Sequence, residues 1–196
     1  MEKAAKHSHI IPKICVSGAS DTTHCGVDAL DKAKDLGRAI ASSGAILLSP
    51  STGGFPLWAA MGAKEVRGFS IGFSPAASEK EHVEVFRMPI DYLDMNIYTG
   101  FGMTGRSLLL IRSCDALIMG CGRVPSLGEL LVALQEEKPI GILEGENKID
   151  SFIKEASGED IRNNKNVIFE SDPKELVSKI LEVIKTKKKQ ENSLAN

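Results

Sequence analysis

Short runs of apolar residues alternate with stretches of helical periodicity along the chain. The apolar runs are continuous rather than alternating with polar residues, which is typical of strands buried on both faces of a parallel sheet. The predicted strands are residues 13–17, 45–49, 69–73, 116–119, 139–143 and 167–169, with 83–88 and 96–99 as less regular candidates. The predicted helices are residues 27–43, 55–66, 103–113, 127–137 and 149–156, followed by a terminal helix with Asp172 as its N-cap and Pro173 at its first position.

Strands and helices that alternate in this way predict an α/β fold, a doubly wound and mostly parallel sheet with helices on both faces. The chain has 196 residues, of which 42% are hydrophobic and 26% charged, and these values fit one globular domain of ordinary size. We expect residues 1–12 to form an N-terminal extension and residues 13–185 the domain. Residues 186–196 are expected to be a polar, disordered tail.

Charge and cysteine content narrow the range of partners and compartments. The formal net charge of −2 gives no bias toward nucleic acid or an anionic membrane, and no window is apolar enough to span a bilayer. The cysteines Cys15, Cys25, Cys114 and Cys121 form no C-x-x-C pair, which argues against a zinc ribbon or a thioredoxin-like site. Cys15 and Cys114 lie in or beside apolar runs, as free cysteines do. Because no signal peptide is evident either, we expect a reducing compartment, the cytoplasm.

Glycine, serine and threonine recur where the predicted strands end. The segment after the first strand reads GASDTTHCG, the one after the second reads PSTGGFP, and the one after residues 116–119 reads GCGRVPSLGE. In doubly wound sheets, ligands bind beyond the carboxyl ends of the strands, where glycine turns can present N–H groups to phosphate. The first strand is not followed by G-x-G-x-x-G, and the chain contains neither a P-loop nor a G-x-S-x-G elbow. The loops therefore predict an anion site of another type.

Three stretches carry a resemblance to a known family. STGGFPLWAAMGAKE has a glycine turn before a helix, GMTGRSLLLIRSCDALI has an arginine-bearing helix before a strand, and GCGRVPSLGE is a loop that ends in glutamate. In this order they resemble the LOG ("lonely guy") family, formerly described as possible lysine decarboxylases, over about residues 14–143. The resemblance implies a nucleotide-binding Rossmann-like fold, usually a homodimer.

The resemblance also implies an activity. LOG enzymes hydrolyse the N-glycosidic bond of a purine nucleoside 5′-monophosphate, AMP or a cytokinin nucleotide, to the free base and ribose 5-phosphate. A close sub-branch with the same loop resembles the molybdenum-cofactor carrier proteins, which bind their ligand and do not hydrolyse it.

Two charged residues match catalytic positions of the family. Glu129 matches the end of the P-G-G-x-G-T-x-x-E loop, where a carboxylate can stabilise positive charge on the ribose or activate water. Arg106 matches the helix arginine, which can clamp phosphate or stabilise the departing purine. Considered alone, Glu129 would be a first-turn glutamate favoured by the helix dipole, and Arg106 a surface arginine. The candidate substrate- and phosphate-binding residues are Gly18, Ala19, Ser20, Thr52, Gly53, Gly54, Met103, Gly122, Arg123, Val124, Pro125 and Ser126.

Three positions depart from the family pattern. Pro125 stands for the second motif glycine and Ser126 for the threonine, and Ser107 stands where lysine commonly follows the arginine. Proline removes one N–H donor, and losing one hydrogen bond to a charged group weakens phosphate binding by roughly ten- to a hundred-fold. Proline nevertheless suits the first turn of a helix, and Arg123 returns positive charge to the loop.

Three functions are compatible with these residues. The first is a nucleoside 5′-monophosphate phosphoribohydrolase that uses Arg106 and Glu129, needs no cofactor and holds no metal, since no histidine–carboxylate cluster has ligand spacing. The second, favoured by Pro125 and Ser107, is a nucleotide sensor or pterin-cofactor carrier without turnover. The third is a DNA-associated relative of the DprA type, against which the near-neutral charge counts. Five further residues are expected near the cleft. His82 is expected to be a surface or capping residue, and Asp91, Tyr92, Asp94 and Tyr98 precede the arginine helix and are candidates for contacts with the base.

Overall fold

Within residues 11–122, 124–145 and 161–194, which the computed structural model describes, seven parallel strands form one sheet. The strands are β1 (Lys13–Ser17), β2 (Ile46–Ser49), β3 (Ser70–Ser74), β4 (Met95–Tyr98), β5 (Ala116–Met119), β6 (Ile140–Leu143) and β7 (Val167–Glu170). The helices are α1 (Ala29–Ser42), α2 (Phe55–Glu65), α3 (Glu79–Glu84), α4 (Gly102–Ser113), α5 (Val124–Gln135) and α6 (Pro173–Leu194), with a short 3-10 helix at Ile161–Asn163. The strand order is β4-β3-β2-β1-β5-β6-β7.

Two apolar cores lie on opposite faces of the sheet. Along β1, Ile14 and Val16 belong to the core beneath α1, α2 and α6, whereas Cys15 belongs to the core beneath α4 and α5. The alternation follows from the pleat, which points successive side chains to opposite faces. The inner strands β1, β2, β5 and β6 are therefore buried on both sides, whereas the edge strand β4 is largely exposed. The predicted doubly wound α/β fold is confirmed.

The sheet changes its direction of growth at β1. From β1 the chain adds β2, β3 and β4 on one side, and it then crosses to add β5, β6 and β7 on the other. The connections that leave β1 and β5 consequently diverge, and a crevice opens beyond their carboxyl ends. This crevice holds the candidate site.

Two predicted elements have different boundaries or a different type. Helix α5 begins at Val124 instead of residue 127, so Pro125 and Ser126 belong to its first turn, where a missing N–H costs little. Residues 83–88, a candidate strand, instead contain the end of α3 and a loop. Helix α3 forms there because the Ser78 side chain caps it, accepting a hydrogen bond from the Glu81 N–H at 3.2 Å.

The C-terminal helix is longer than the sequence predicted. Asp172 caps it as expected, with Oδ1 accepting hydrogen bonds from the N–H groups of Lys174 and Glu175, each at 2.9 Å. The helix continues to Leu194, which corrects the disordered tail expected from residue 186. Lysines of this segment reach the domain, because Lys188 Nζ lies 3.3 Å from Asp115 Oδ1.

Some predictions fall on residues outside the described part of the chain. These are most of the N-terminal extension, the helix at 149–156 and the last two residues of the tail. Among the described residues, no helix combines the length and the apolar character needed to cross a membrane.

Candidate ligand-binding site

A cleft of about 660 Å³ lies beyond the carboxyl ends of β1 and β2. Its walls are the loop after β1 (residues 18–21), the loop after β2 (residues 50, 52 and 53), the segment 86–89 and the first two turns of α4 and α5. The volume falls within the range of about 300–1,000 Å³ that small-molecule sites usually have. Serine, glycine and threonine residues of the loops after β1 and β2 line the cleft together with the apolar residues Phe86, Met88 and Met103.

The two loops after β1 and β2 are joined by backbone contacts. The Phe55 N–H, at the start of α2, donates to the Ala19 carbonyl at 2.9 Å. Gly54 precedes it with φ +69°, and a Cβ atom there would lie 2.3 Å from the same carbonyl oxygen. Only glycine allows both the left-handed backbone and this close approach. The predicted residue Gly54 therefore shapes the wall of the cleft from behind rather than lining it.

Arg106 and Glu129 form a buried ion pair in the wall of the cleft. Each residue is 3% exposed, and Arg106 Nη2 lies 3.5 Å from Glu129 Oε1. The Ser107 hydroxyl lies 2.6 Å from the same carboxylate oxygen, and the Ser17 hydroxyl lies 3.4 Å from Oε2. The second turns of α4 and α5 and the end of β1 thus meet at one carboxylate.

Only part of the Arg106 guanidinium has interaction partners among the described residues. Nη1 donates to the Pro50 carbonyl, and Nη2 lies 4.0 Å from Met103 Sδ. The buried Nε has no hydrogen-bond partner within the described residues. Burial lowers the pKa of Arg106 from its ordinary value, and the Glu129 carboxylate opposes that shift. Because an arginine stays protonated in proteins, the site holds a charged group with a donor to spare.

The predicted site residues are brought together for the most part. The cleft is lined by Gly18, Ala19, Ser20, Thr52, Gly53, Met103, Arg106, Ser126 and Glu129. Gly122 does not line the cleft. Arg123 falls outside the described residues, as do the side chains of Val124 and Pro125, whose backbone opens α5.

Sequence reasoning missed one wall of the cleft, the segment 86–89. His82 is fully buried and supports this wall, since Nδ1 lies 2.8 Å from the Ser74 hydroxyl and Nε2 lies 3.1 Å from the Pro89 carbonyl oxygen. His82 is therefore neither a surface residue nor a cleft residue. Asp94 pairs with Lys64 at 2.5 Å, away from the cleft. Asp91, Tyr92 and Tyr98 do not line the cleft either.

The cysteines divide into two buried free thiols and one disulfide. Cys15 and Cys114 are free and buried, as their apolar surroundings predicted. Cys25 and Cys121 are joined by a disulfide, although their sequence separation is 96. A disulfide is uncommon in a reducing compartment, so the cysteine content does not by itself support a cytoplasmic location. No spacing motif in the sequence could have indicated this pair.

Comparison with protein-family models assigns this chain to one family. The model of the SLOG cluster4 family matches residues 11–177. This chain belongs to the SLOG cluster4 family. The resemblance to the LOG family, and to its sub-branch close to the molybdenum-cofactor carriers, is confirmed as a family relationship.

Two solved structures similar to this SLOG protein are those of molybdenum-cofactor proteins. The molybdenum cofactor binding protein of the phototrophic bacterium Rippkaea orientalis is 27% identical with a TM-score of 0.72, over 89% of this chain and 98% of that one. The molybdenum cofactor carrier protein of Chlamydomonas reinhardtii is 25% identical with a TM-score of 0.69, over the same shares of the two chains, 89% and 98%. Both likenesses extend over nearly the whole of the similar protein.

A third structure bears on the DNA hypothesis. DNA processing protein A of Helicobacter pylori is 14% identical with a TM-score of 0.64, over 91% of this chain and 84% of that one. At this identity the likeness concerns the fold alone. Fold does not carry function, which depends on the site.

Proposed function

We propose that this SLOG protein binds a small phosphorylated ring compound in the cleft and releases it chemically unchanged. The ligand class that we favour is a pterin phosphate of the molybdenum-cofactor type. In support, the similar proteins of R. orientalis and C. reinhardtii are described as binding or carrying that cofactor. A cleft of about 660 Å³ also suits a ligand of that size.

The observation that carries the proposal is the state of Glu129. Glycosidic hydrolysis needs a carboxylate that is free to approach the ribose or a water molecule. Here Oε1 lies 2.6 Å from the Ser107 hydroxyl and 3.5 Å from Arg106 Nη2, and the residue is 3% exposed. The carboxylate serves as the fixed counter-ion of Arg106. This arrangement favours binding over turnover.

The phosphate end of the ligand is assigned to the first turn of α5. Backbone N–H groups of a helix N-terminus attract anions, and the buried Ser126 adds a hydroxyl that lines the cleft. Pro125 removes one donor from this turn and at the same time fixes its backbone in a helical conformation. The unpartnered Nε of Arg106 is a further donor for an anionic group.

The ring of the ligand is assigned to the wall formed by Phe86, Met88, Pro89 and Met103. These residues line the same cleft, and Met103 belongs to the first turn of α4. Aromatic and thioether groups pack well against flat heterocycles. A bicyclic ring could therefore lie against this wall while its phosphate reaches α5.

Calorimetric titration with 6-hydroxymethylpterin, with and without its phosphate, tests the proposal. We expect the phosphorylated compound to bind at least about tenfold more tightly, because it alone gains charged hydrogen bonds. Ser126→Ala should weaken only the phosphorylated compound, whereas Ser113→Ala, at an exposed end of α4, should change neither. Equal binding of both compounds, or no binding of either, would contradict the proposal.

A second candidate is the nucleoside 5′-monophosphate phosphoribohydrolase. Arg106 and Glu129 favour it, because both match catalytic positions and both line the same cleft. This function requires Glu129 to leave its partners when a substrate such as AMP or isopentenyl-AMP binds. Release of free base that Glu129→Ala abolishes, and that Pro125→Gly raises, would establish it.

The assembly that we propose is a homodimer. Phe101, Leu108, Leu109 and Leu131 are exposed apolar residues on or beside α4 and α5. These helices cover one face of the sheet, so a second copy could bury their apolar residues. A location in the cytoplasm, and the absence of a nucleic-acid partner, stay predictions from the sequence.

A further inference from the structure

A cluster of three metal-ligating side chains lies beside the cleft. The loop after β1 carries His24 and Cys25, and the loop after β5 carries Cys121. One ligand atom of each residue lies within 4.8 Å of the others. The two loops are held together by the Ala19 N–H, which donates to the Cys121 carbonyl at 2.6 Å. No spacing motif indicates a metal site here, because the fold alone brings residue 121 close to residues 24 and 25.

The distances fit a thiophilic cation once the disulfide is opened. His24 Nε2 lies 3.6 Å from Cys121 Sγ. A tetrahedral zinc site, with Zn–S of about 2.3 Å and Zn–N of about 2.0 Å, separates sulfur and nitrogen by about 3.5 Å. The imidazole is therefore already at ligand distance from one sulfur. Only the two sulfurs must separate, to about 3.8 Å, through rotation of their side chains.

The His24 ring also lacks a strong partner of its own. Its Nδ1 atom is shielded from solvent and has no hydrogen-bond partner among the described residues. Its Nε2 meets only a disulfide sulfur, which is a weak acceptor. Shielded polar atoms normally have partners. A cation on Nε2 would replace its weak contact with the disulfide sulfur by a coordinate bond.

We propose that His24, Cys25 and Cys121 form a thiolate–imidazole site for Zn²⁺ when the Cys25–Cys121 disulfide is reduced. A dithiol reductant would supply two electrons and two protons to the disulfide, and its own two thiols would become a disulfide. The two cysteines then lose their protons as the cation binds their thiolates and the imidazole nitrogen. Water completes the coordination. The two loops are thus joined by a covalent bond in the oxidised protein and by the metal in the reduced protein.

The experiment measures Zn²⁺ binding to the oxidised and the reduced full chain. The chain is reduced with a phosphine, which becomes its oxide with oxygen from water, and the reagent is removed by gel filtration without air. Competition with a chromophoric chelator then gives the stoichiometry and the affinity. Co²⁺ in place of Zn²⁺ reports thiolate ligands through charge-transfer absorption, and tetrahedral geometry through its d–d bands.

We expect one Zn²⁺ per reduced chain and none on the oxidised chain. His24→Ala should weaken binding by more than about tenfold, since even the loss of a supporting group costs that much. Cys25→Ser should remove the charge-transfer band, and Cys114→Ala, which alters a free buried thiol outside the cluster, should leave binding unchanged. Circular dichroism of each variant verifies that the fold is retained.

Two results would overturn the proposal. One is a reduced natural chain that binds Zn²⁺ no more tightly than Cys25→Ser when both are folded. The other is a cobalt spectrum without a thiolate band. Zn²⁺ affinity and the Co²⁺ spectrum do not depend on which ligand the cleft binds. A failure of this proposal can therefore be distinguished from a failure of the proposed function.

Discussion

The ion pair of Arg106 and Glu129 is the residue-scale feature on which the proposed function depends. Both side chains are taken out of water, and each neutralises the other at 3.5 Å. Desolvation makes such a pair a poor source of net stability, whereas removing one partner leaves an uncompensated buried charge. The effects of the two residues on the free energy of unfolding should therefore be coupled, and this coupling can be measured without a ligand.

Arg106→Met should lower the free energy of unfolding by roughly 3–5 kcal/mol, because Glu129 would remain buried without a counter-ion. Arg106→Met combined with Glu129→Met should recover most of that loss, since neither charge remains. Urea denaturation of the three proteins gives the values. Lys80→Met is the matched control, because the exposed Lys80–Glu84 pair at 3.9 Å should contribute less than about 1 kcal/mol. A double variant as unstable as Arg106→Met would contradict this account.

Asp115 provides a pH-dependent prediction at the same scale. Burial raises the pKa of its carboxyl, but the Lys13 N–H at 2.8 Å and the charges of Lys13 and Lys188 outweigh that effect, so the pKa is lowered. A lowered folded-state pKa means that the carboxylate stabilises the fold above the unfolded-state pKa of about 3.9. That contribution is lost as the pH falls through the folded-state value.

Asp115→Asn should therefore cost roughly 1 kcal/mol at pH 7, a modest value because the ion pairs are partly exposed. The difference from the natural chain should vanish as the pH is lowered below about 3.9. Urea denaturation at a series of pH values measures it. Asp91→Asn, at an exposed position outside these ion pairs, is the control for removing one carboxylate. A difference that grows at low pH would refute the assignment.

At the scale of elements, helices α1 and α2 approach each other unusually closely. A Cβ atom on Gly37 would lie 1.9 Å from the Ala59 carbonyl oxygen, and one on Gly62 would lie 2.1 Å from the Lys34 carbonyl oxygen. Two glycines on facing helices allow the backbones themselves to touch. Any larger residue must push α2 away, and α2 begins at the wall of the cleft.

Gly37→Ala should destabilise the protein by about 1–3 kcal/mol through overpacking, although alanine is the better helix former. Gly128→Ala is the matched control in α5, where no described atom lies within 4 Å of the added Cβ. That change should stabilise by roughly 0.5–1 kcal/mol. Thermal or urea unfolding gives the free energy of unfolding of both variants. If Gly37→Ala leaves it unchanged, the helices can move apart without cost and the prediction is wrong.

Elements with a strong local pattern could be predicted from the sequence, and elements set by distant contacts could not. The strand at 116–119 and the cap at Asp172 match because continuous apolar runs and capping residues act locally. The wall at 86–89 depends on His82, whose partners are Ser74 and the Pro89 carbonyl. No periodicity encodes those contacts. The Cys25–Cys121 pair likewise exists only because the loops after β1 and β5 meet.

At the scale of the whole molecule, the apolar exterior of α4 and α5 is the feature that bears on assembly. Leu131 is 55% exposed and Phe101 is 71% exposed. Both belong to the face opposite to α1, α2 and α6. The proposed homodimer would remove these side chains from water, whereas the opposite face would stay free.

Leu131→Lys should shift the protein from dimer to monomer, because a charge would be placed in the apolar interface. Val66→Lys is the control, since Val66 is a similarly accessible apolar residue at the end of α2, on the other face. Sedimentation velocity across a range of concentrations separates the two states. A natural chain that stays monomeric throughout, or a dimer lost only in Val66→Lys, would argue against this interface.

The central claim is that the cleft holds a phosphorylated ring compound without cleaving it. Its most direct test is equilibrium dialysis of the protein against a mixture of 6-hydroxymethylpterin phosphate and AMP, followed by chromatography of everything recovered from the protein side. The account predicts that the pterin phosphate is retained and that all AMP is recovered intact. Free adenine and ribose 5-phosphate that appear with the natural chain and not with Glu129→Ala would contradict it, and they would make the buried carboxylate a catalytic group.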